Sequence, residues 1–393
     1  MESRIPYSRQ TIDDDDIAAV TDCLRSDFLT QGPQTRAFEE AAKAYVGSGH
    51  AIAVSNGTAA LHLVCQALGL GTGDLLWTSP NSFVASANAG RYLGADIDFV
   101  DIELKTGCID PDILAEKLAT ASSQGLLPNI LIAVHFAGHS VEFDRIATLC
   151  AEYGVDLVED AAHAFGATYE DQPERKVGSH PQTAATTFSF HPLKSITTGE
   201  GGMITTQSDT LAAELSMLRS HGITKDRGLL TDARADDGDW YYEQHLLGFN
   251  YRICDIQAAL GLSQMAKLDG FMAARRSRAR RYAELLSDLP LHLPSATDQS
   301  AWHLYVIRLD PMRTDVSRRA LFDILRAQHI EAHVHYIPIH TQPYYRALGF
   351  SPGQFPQAEA YYDNCLSLPI YPLMTDEEQD RVVAALKDAL LDA

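Results

Sequence analysis

Five short apolar runs alternate with helix-forming stretches over the first 160 residues, and this alternation limits the folds open to the chain. The runs cover residues 51–54, 75–78, 97–100, 130–134 and 155–158. Apolar strands that alternate with helices predict an α/β fold with a mainly parallel sheet covered by helices on both faces. Ligands bind such sheets beyond the carboxyl ends of the strands. The residues that follow each strand are therefore the first candidates for a functional site.

Composition argues against several classes of protein. The 393 residues carry a formal net charge of −21, which disfavours binding to nucleic-acid phosphates or to an anionic membrane surface. No apolar run reaches about 20 residues, the length that spans a bilayer, and the first ten residues lack the apolar core of a signal peptide. The six cysteines are scattered without a Cys-x-x-Cys pair, as expected for reduced thiols rather than disulfides or zinc ligands. We therefore expect a cytoplasmic protein without a metal, a nucleic-acid partner or a membrane anchor.

Polar and aromatic residues follow three of the predicted strands. Gly57 and Thr58 follow the first strand and open a helix, where free N–H groups and a hydroxyl suit a phosphate. An ordinary helix cap is the alternative. Phe83 follows the second strand and is either a core residue or an aromatic face for a ligand. Asp160, with His163 three residues later, ends the fifth strand, so its carboxylate either caps a helix or faces a cationic ring nitrogen.

One lysine lies in an otherwise uncharged stretch, residues 186–199. An apolar, β-prone lead ends at Ser189, Pro192 breaks regular structure, and Lys194 follows. An apolar, tightly turned environment disfavours the charged form of a lysine and leaves its amine nucleophilic. The alternative is an exposed loop lysine, as most lysines are.

These features together suit pyridoxal 5′-phosphate (PLP). The cofactor needs a phosphate site, an aromatic face, a lysine that attaches it and an acid that keeps its ring nitrogen protonated, so that the ring accepts electrons. The candidates for these parts are Gly57, Thr58, Phe83, Asp160, Ser189 and Lys194.

The chain resembles the DegT/DnrJ/EryC1/StrS family of sugar aminotransferases, which are fold-type-I enzymes that depend on PLP. The resemblance extends from residue 5 to the final helix. It is strongest over 56–61 (NGTAAL), 158–163 (VEDAAH), 189–194 (SFHPLK), 198–202 (TGEGG) and 248–252 (GFNYR). It implies a large domain with a mainly parallel seven-stranded sheet between helices, and a smaller C-terminal α/β domain.

The resemblance also implies a role for each candidate. Lys194 is then the catalytic residue that carries the cofactor, Asp160 meets the pyridine nitrogen, and His163 lies near the phenolic oxygen of the ring. Phe83 stacks on the ring. Gly57, Thr58 and Ser189 bind the phosphate, and Asn250 reaches it from the neighbouring subunit. The last assignment implies a homodimer with shared active sites.

Within the family, the chain most resembles the branch that acts in pseudaminic-acid biosynthesis. These enzymes aminate C4 of a UDP-linked 4-keto-6-deoxy-N-acetylhexosamine, giving UDP-4-amino-4,6-dideoxy-N-acetyl-β-L-altrosamine. The similar stretches are residues 5–7, 26–32, 191–200 and 334–338. The resemblance implies glutamate as the amino donor and the sugar-binding residues Tyr7, Asp27, Phe28, Leu29, Thr30, His335, Tyr336, Ile337 and His340. The chain departs from the branch at Asn81, which replaces a more usual apolar residue beside the sugar site.

We predict three parts of the chain: a lead-in with a pocket loop over residues 1–34, a large PLP-binding domain over 35–270 and a small domain over 271–393. In the small domain we expect His333 and His335 to share one face of a strand. The acidic stretch 225–239 is predicted to be a loop, anchored to the body by residues 240–243.

Four other functions remain to be compared with this hypothesis. A related aminotransferase would act on a dTDP-linked sugar or at C3. The dehydratase branch of the family carries histidine where this chain has Lys194. A PLP-sensing regulator would need a DNA-reading helix-turn-helix and a basic face. A nicotinamide-dependent oxidoreductase would need G-x-G-x-x-G after the first strand, which is absent. Lys194 disfavours the dehydratase, and the net charge disfavours the regulator.

Overall fold

The computed structural model describes residues 3–391 except 141, 235 and 296. Outside the described residues thus lie positions 1–2 of the predicted lead-in, 235 of the acidic loop and 392–393 of the predicted small domain. Seven of the described strands form the central sheet: β1 (His50–Val54), β2 (Leu75–Thr78), β3 (Asp96–Phe99), β4 (Ile130–Val134), β5 (Asp156–Asp160), β6 (Ala185–Ser189) and β7 (Gly202–Thr206). Their order is β1-β7-β6-β5-β4-β2-β3.

The strand directions confirm the predicted mainly parallel sheet. β7 pairs antiparallel with β1 and β6, and the remaining neighbours are parallel. Six strands therefore end at the edge of the sheet where β7 begins. This edge is where the residues following β1, β2, β4, β5 and β6 come together.

Helices cover the sheet and the rest of the chain, and several begin at the residues that their sequences predict. Asp13 and Asp16 form a capping box at the first helix, and the Asn56 side chain caps the third. The described helices are α1 (Asp14–Arg25), α2 (Pro33–Val46), α3 (Gly57–Ala67), α4 (Ala85–Tyr92), α5 (Pro111–Gln124), α6 (Phe143–Tyr153), α7 (Asp209–Leu218), α8 (Asp255–Met265), α9 (Leu268–Leu285), α10 (Arg318–Ala327), α11 (Pro343–Ala347), α12 (Pro356–Asn364) and α13 (Asp376–Leu391). Two 3₁₀ turns cover Phe136–Gly138 and Ile339–Thr341.

The apolar strands are buried on both faces of the sheet. In β4, Ile130 and Ile132 pack into one apolar cluster, whereas Leu131 and Ala133 pack into another. Side chains of a strand alternate between its two faces, so a strand that is apolar at every position needs a core on each side. This arrangement explains why the strands read as continuous apolar runs.

A second, smaller sheet has its own apolar cluster. Its strands are β10 (Leu291–His292), β11 (Tyr305–Leu309) and β12 (Cys365–Leu368), all antiparallel. Residues of α9, α10 and α13 pack in this cluster with Ile5 from the start of the described chain. Two further short strands, β8 (Ile223–Thr224) and β9 (Glu243–Gln244), pair with each other.

The predicted strand through His333 and His335 is wrong. His333 makes only an isolated bridge to Ser367. The backbone N–H of Tyr336, three residues later, donates to the side chain of Asn81 (3.3 Å) rather than to a strand of the small sheet. The two histidine rings still lie on the same side, with centroids 4.7 Å apart.

Within the predicted anchor of the acidic loop, residues 240–243, Trp240 is 75% exposed and does not hold the loop. Glu243, the last residue of the predicted anchor, does. Its carboxylate accepts hydrogen bonds from the N–H groups of Thr231 (2.8 Å) and Asp232 (2.7 Å).

Among the helices of the described chain, none has the length and apolar character needed to cross a membrane. No group of three or more potential metal ligands occurs among the described residues.

Candidate active site

A cavity of about 660 Å³ opens at the carboxyl edge of the central sheet. A volume of this size suits a small-molecule or cofactor site. Ten of the residues predicted from the sequence line it: Tyr7, Gly57, Thr58, Phe83, Asp160, His163, Ser189, Lys194, His335 and Tyr336. Residues that are far apart in the chain thus meet in one cavity.

One wall of the cavity is the N-terminus of α3. Asn56 accepts a hydrogen bond from the N–H of Ala59 (2.8 Å), which caps the helix. The N–H groups of Gly57 and Thr58 have no carbonyl one turn earlier in the helix, so they are free to bind an anion. The side chain of Ser189 lies beside them, within 3.5 Å of the point where a Cβ would stand on Gly57. This corner combines N–H and hydroxyl donors as a phosphate site requires.

Gly202, at the start of β7, allows this corner to form. A Cβ on Gly202 would lie 2.6 Å from the backbone of Asn56 and 2.9 Å from the nitrogen of Gly57. Real Cβ atoms do not approach backbone that closely, so a side chain would displace the start of α3. The second glycine of the Gly-Gly pair is therefore required by close packing.

Asp160 lies at the end of β5, deep in the cavity. The hydroxyl of Ser86 donates to its Oδ2 (2.6 Å), and the N–H of Ala162 donates to its Oδ1 (3.2 Å). Ser82 lies 2.7 Å from Ser86, which extends the chain of hydroxyls. The carboxylate is therefore held in place and retains lone pairs for a cationic partner in the cavity. The alternative role as a simple helix cap does not account for this burial.

Lys194 occupies a tight turn after β6. The N–H of Lys194 donates to the carbonyl of His191 (2.9 Å), and the N–H of Thr198 donates back to the carbonyl of Phe190 (3.0 Å). Burial lowers the pKa of the lysine to about 8, although the negative charge of Asp160 opposes this change. The alternative interpretation of Lys194 as an exposed loop lysine is therefore wrong.

His163 contacts the turn after β4 and the segment 334–338. Its Nδ1 accepts a hydrogen bond from the N–H of Ala137 (3.3 Å), and its Nε2 lies 3.1 Å from the hydroxyl of Tyr336. Burial, together with the nearby Lys194 and His335, moves the pKa of His163 well below its ordinary value. The imidazole is therefore uncharged at neutral pH.

Phe83 is 58% exposed. It lines the cavity, with its ring 6.3 Å from that of Tyr336. The alternative interpretation as a core residue is therefore wrong, and the stacking role stays a prediction.

Several cavity residues were not predicted from the sequence. They are Ser82, His62, Tyr92, Tyr251 and His303. Ser86, whose hydroxyl donates to Asp160, was also missed. Ser82 and Ser86 lie four residues apart on either side of the start of α4, and this spacing is the only sequence signal that relates them. His303 lies two residues before β11, and its neighbours in the cavity come from distant parts of the chain.

Seven predicted site residues do not line this cavity: Asp27, Phe28, Leu29, Thr30, Asn250, Ile337 and His340. Phe28 and Leu29 are exposed, in a loop that Asp255 holds by accepting from the N–H of Gly32 (3.0 Å). Asn250 is also exposed and bridges to the backbone of Ser220. The proposed roles of these residues stay predictions.

His340 has a different environment from the one predicted. It is fully buried, and its Nε2 lies 2.9 Å from Glu359. Its ring packs 4.8 Å from that of Phe355. These contacts place it behind the cavity wall, where it ties α12 to the preceding 3₁₀ turn.

The sequence pattern of the DegT/DnrJ/EryC1/StrS aminotransferase family matches residues 10–387. The chain belongs to this family. The spore coat polysaccharide biosynthesis protein SpsC of Bacillus subtilis is 38% identical over 389 residues, which cover 98% of this chain and 96% of SpsC.

Solved structures agree with this assignment. PseC of Helicobacter pylori, an aminotransferase involved in pseudaminic acid biosynthesis, superposes with a TM-score of 0.88, at 29% identity and over 100% of both chains. Spr1654 of Streptococcus pneumoniae, solved in a PLP form, has a TM-score of 0.86 at 27% identity over 98% of both chains. Its pyridoxamine phosphate form has a TM-score of 0.87, also at 27% identity over 98% of both chains.

The chain is therefore a PLP-dependent sugar aminotransferase of fold type I. Its own residues fit this cofactor. The cavity holds unpaired N–H groups at a helix N-terminus, a carboxylate held by Ser86 and a lysine whose pKa burial lowers to about 8. This assignment excludes the regulator and oxidoreductase alternatives, and Lys194, which stands where the dehydratase branch carries histidine, argues against the dehydratase.

Proposed function

We propose that the enzyme transfers an amino group from glutamate to C4 of a UDP-linked 4-keto-6-deoxy-N-acetylhexosamine, in the biosynthesis of pseudaminic acid. The likeness to PseC over the full length of both chains carries this proposal. The chain also keeps the branch-like segments 5–7 and 334–338, and Tyr7, His335 and Tyr336 of these segments line the same cavity as Lys194.

The residues predicted to bind the cofactor would each have a task in this reaction. Bound PLP would supply the electron-accepting ring. The N–H groups of Gly57 and Thr58 and the hydroxyl of Ser189 would hold its phosphate, and Asp160 would pair with its ring nitrogen. Lys194 would hold the cofactor through Nζ, and its amine would take the proton from the α-carbon of the amino donor.

The nucleotide and the aminated carbon are tested with a panel of keto-sugars. Purified enzyme loaded with PLP is incubated with ¹⁵N-glutamate and UDP-linked or dTDP-linked 4-keto and 3-keto sugars. We expect ¹⁵N at C4 of the UDP-linked N-acetylhexosamine, detected by NMR and mass spectrometry. Faster amination of a dTDP-linked or 3-keto sugar would refute the assignment and support the related-aminotransferase alternative. Replacing glutamate with glutamine or alanine in the same assay tests the donor.

We further propose that the active enzyme is a homodimer in which Asn250 and the loop of Asp27, Phe28, Leu29 and Thr30 act on the site of the partner. Two observations support this proposal. These residues are exposed and lie outside the cavity of their own chain, yet the adjacent Tyr251 lines it. A second copy that covers this face would bring exposed apolar side chains such as Phe28 and Leu29 out of water.

Shared sites are tested by mixing two inactive variants. In a dimer of Lys194→Ala with Asn250→Ala, one site carries both defects and the other carries neither. Statistical mixing should therefore restore about a quarter of the wild-type activity. If both residues served the same site, every site would keep one defect and the mixture would stay inactive. Light scattering of each variant checks that the dimers persist.

A further inference from the structure

We propose that a backbone turn at Ala137 fixes the tautomer of His163 and thereby makes the Tyr336 hydroxyl a hydrogen-bond donor into the cavity, toward an acceptor oxygen of the bound cofactor or sugar. Tyr336 would then be a catalytic residue, and His163 and Ala137 would position it. The inference rests on the proposed active site but not on the identity of the sugar.

The turn after β4 has an uncommon conformation. Ala137 has φ 58° and ψ 1°, in the left-handed region that residues other than glycine rarely occupy. The surrounding structure holds it there. The carbonyl of Gly138 accepts from the N–H of Ala301 (3.1 Å), and the carbonyl of Ala137 accepts from the N–H of Leu304 (3.4 Å). A Cβ on Gly138 would meet the carbonyl of His163 and the nitrogen of Trp302, each at 3.0 Å, so the packing requires glycine there. Such conformations persist only where neighbours impose them, and they are enriched at functional sites.

This turn determines which nitrogen of His163 carries the proton. The Ala137 N–H can only donate, and it points at Nδ1 (3.3 Å). Nδ1 must therefore be the unprotonated acceptor. A neutral imidazole then carries its hydrogen on Nε2. In the charged imidazolium Nδ1 also carries a hydrogen, so its N–H and the N–H of Ala137 would point at each other.

The tautomer sets the direction of the next hydrogen bond. Nε2–H donates to the Tyr336 oxygen at 3.1 Å, so this oxygen is the acceptor and the phenolic hydrogen remains available. Among the described residues, the hydroxyl has no other hydrogen-bond partner. Tyr336 lines the same cavity as Lys194, so a ligand bound there is the acceptor that we assign to the available hydrogen.

Neighbouring groups support both protonation states. His303 faces His163 with ring centroids 4.4 Å apart. The other titratable groups that act on His163 or Tyr336 are His335, Lys194, Asp160 and Tyr7. Burial and the positive charge of Lys194 keep His163 uncharged. Burial and the negative charge of Asp160 raise the pKa of Tyr336, so the phenol keeps its hydrogen.

Asn81 contributes to this arrangement. Its side chain accepts from the backbone N–H of Tyr336 (3.3 Å) and donates to the carbonyl of Gly107 (3.0 Å). The polar residue that departs from the branch pattern thus positions the segment that carries the donor. The amide of Asn81 makes both of these hydrogen bonds, which an apolar side chain at this position could not make.

The tautomer is tested without any cofactor. Long-range ¹H–¹⁵N spectra of the cofactor-free protein, labelled with ¹⁵N-histidine, distinguish the two tautomers by the shift of each nitrogen. The His163→Gln spectrum identifies the signal of His163 by its disappearance. We expect an unprotonated Nδ1 and a protonated Nε2 at neutral pH. A protonated Nδ1 would overturn the proposal, whatever the enzyme does with any sugar.

The donor role is tested with Tyr336→Phe in two separate half-reactions. One uses PLP-loaded enzyme and glutamate, followed by absorbance, and the other uses the pyridoxamine phosphate form and the UDP-linked 4-keto-6-deoxy-N-acetylhexosamine. Loss of this bond should slow at least one half-reaction by about tenfold or more. Slowing of both halves assigns the acceptor oxygen to the cofactor, and slowing of the second alone assigns it to the sugar. Unchanged rates in both halves would overturn the donor role.

Two controls separate this role from a general loss of structure. Tyr305→Phe removes another buried hydroxyl, which has no hydrogen-bond partner among the described residues and does not line the cavity, and it should leave both rates unchanged. His163→Gln keeps one acceptor and one donor, so it should retain more activity than His163→Leu, which keeps neither. Equal activities of the two His163 variants would contradict the positioning role. If the UDP-sugar is not a substrate, the second half-reaction is measured with the keto-sugar that the panel identifies, and the tautomer test is unaffected.

Discussion

The amine of Lys194 should titrate near pH 8 in the cofactor-free enzyme. Burial disfavours the charged amine and lowers its pKa from 10.5 to about 8. At pH 7 such a lysine is about 10% uncharged, against roughly 0.03% for an ordinary lysine, so the reactive form is enriched about 300-fold. The enzyme thus has a usable nucleophile at neutral pH before any cofactor binds.

The assay is the modification of Lys194 by acetic anhydride over a pH series, with the labelled peptide quantified by mass spectrometry. The rate should rise with pH to a plateau, with its midpoint near pH 8, because only the uncharged amine reacts. In urea-denatured protein the same lysine should follow the ordinary value of about 10.4. Lys194→Ala identifies the peptide signal.

A second variant tests the cause of the shift. Asp160 favours the charged amine and so opposes the effect of burial. Asp160→Asn should therefore move the midpoint below that of the wild type. A wild-type midpoint close to that of the denatured protein, or an upward shift in Asp160→Asn, would refute this account of the lysine.

Two further predictions concern the hydrogen bonds behind the site. Ser86→Ala removes the 2.6 Å hydrogen bond to Asp160 and should weaken PLP binding about 5- to 10-fold, measured by fluorescence titration of the cofactor-free enzyme. Tyr169→Phe removes a hydroxyl that donates to the buried Glu159 carboxylate at 2.8 Å, and should lower the free energy of unfolding by about 1–3 kcal/mol in urea. Burial raises the pKa of Glu159, but hydrogen bonds hold it below 4.5 overall, so its contribution is present at neutral pH. The deficit should therefore shrink as the pH falls through that lowered pKa, whereas the part due to the lost bond from the Gly178 N–H (3.0 Å) should remain. A Ser86→Ala protein with unchanged PLP affinity, or a Tyr169→Phe deficit that does not shrink in acid, would contradict these expectations.

Local signals in the sequence account for much of the fold and for the cofactor corner. Apolar runs identified strands that are buried on both faces, as in β4. Turn residues such as Gly57, and the break at Pro192, located the loops at the carboxyl edge. Parallel strands bring their ends together whatever the details of packing, so residues that follow different strands could be assigned to one site.

Local patterns failed where the fold supplies different contacts. The alternation at His333 and His335 favours a strand, but His333 makes only an isolated bridge and the N–H of Tyr336 donates to Asn81. The contact of His340 with Glu359 has no local signal either, because folding brings the two residues together, and the sugar-binding role of His340 stays a prediction.

The mainly parallel sheet, the edge at which ligands bind and the chemical types of the residues there follow from the sequence, because they depend on spacing and burial over a few neighbouring residues. The order of the strands, the tautomer of His163 and the direction of the Tyr336 hydroxyl do not, because each depends on groups that folding brings together from far apart in the chain. The apolar, tightly turned stretch around Lys194 predicts a lowered pKa, but the value of about 8 also depends on Asp160, which only the fold brings near. A hydrogen bond is sensitive to position within a fraction of an ångström, and such positions exist only in the folded chain.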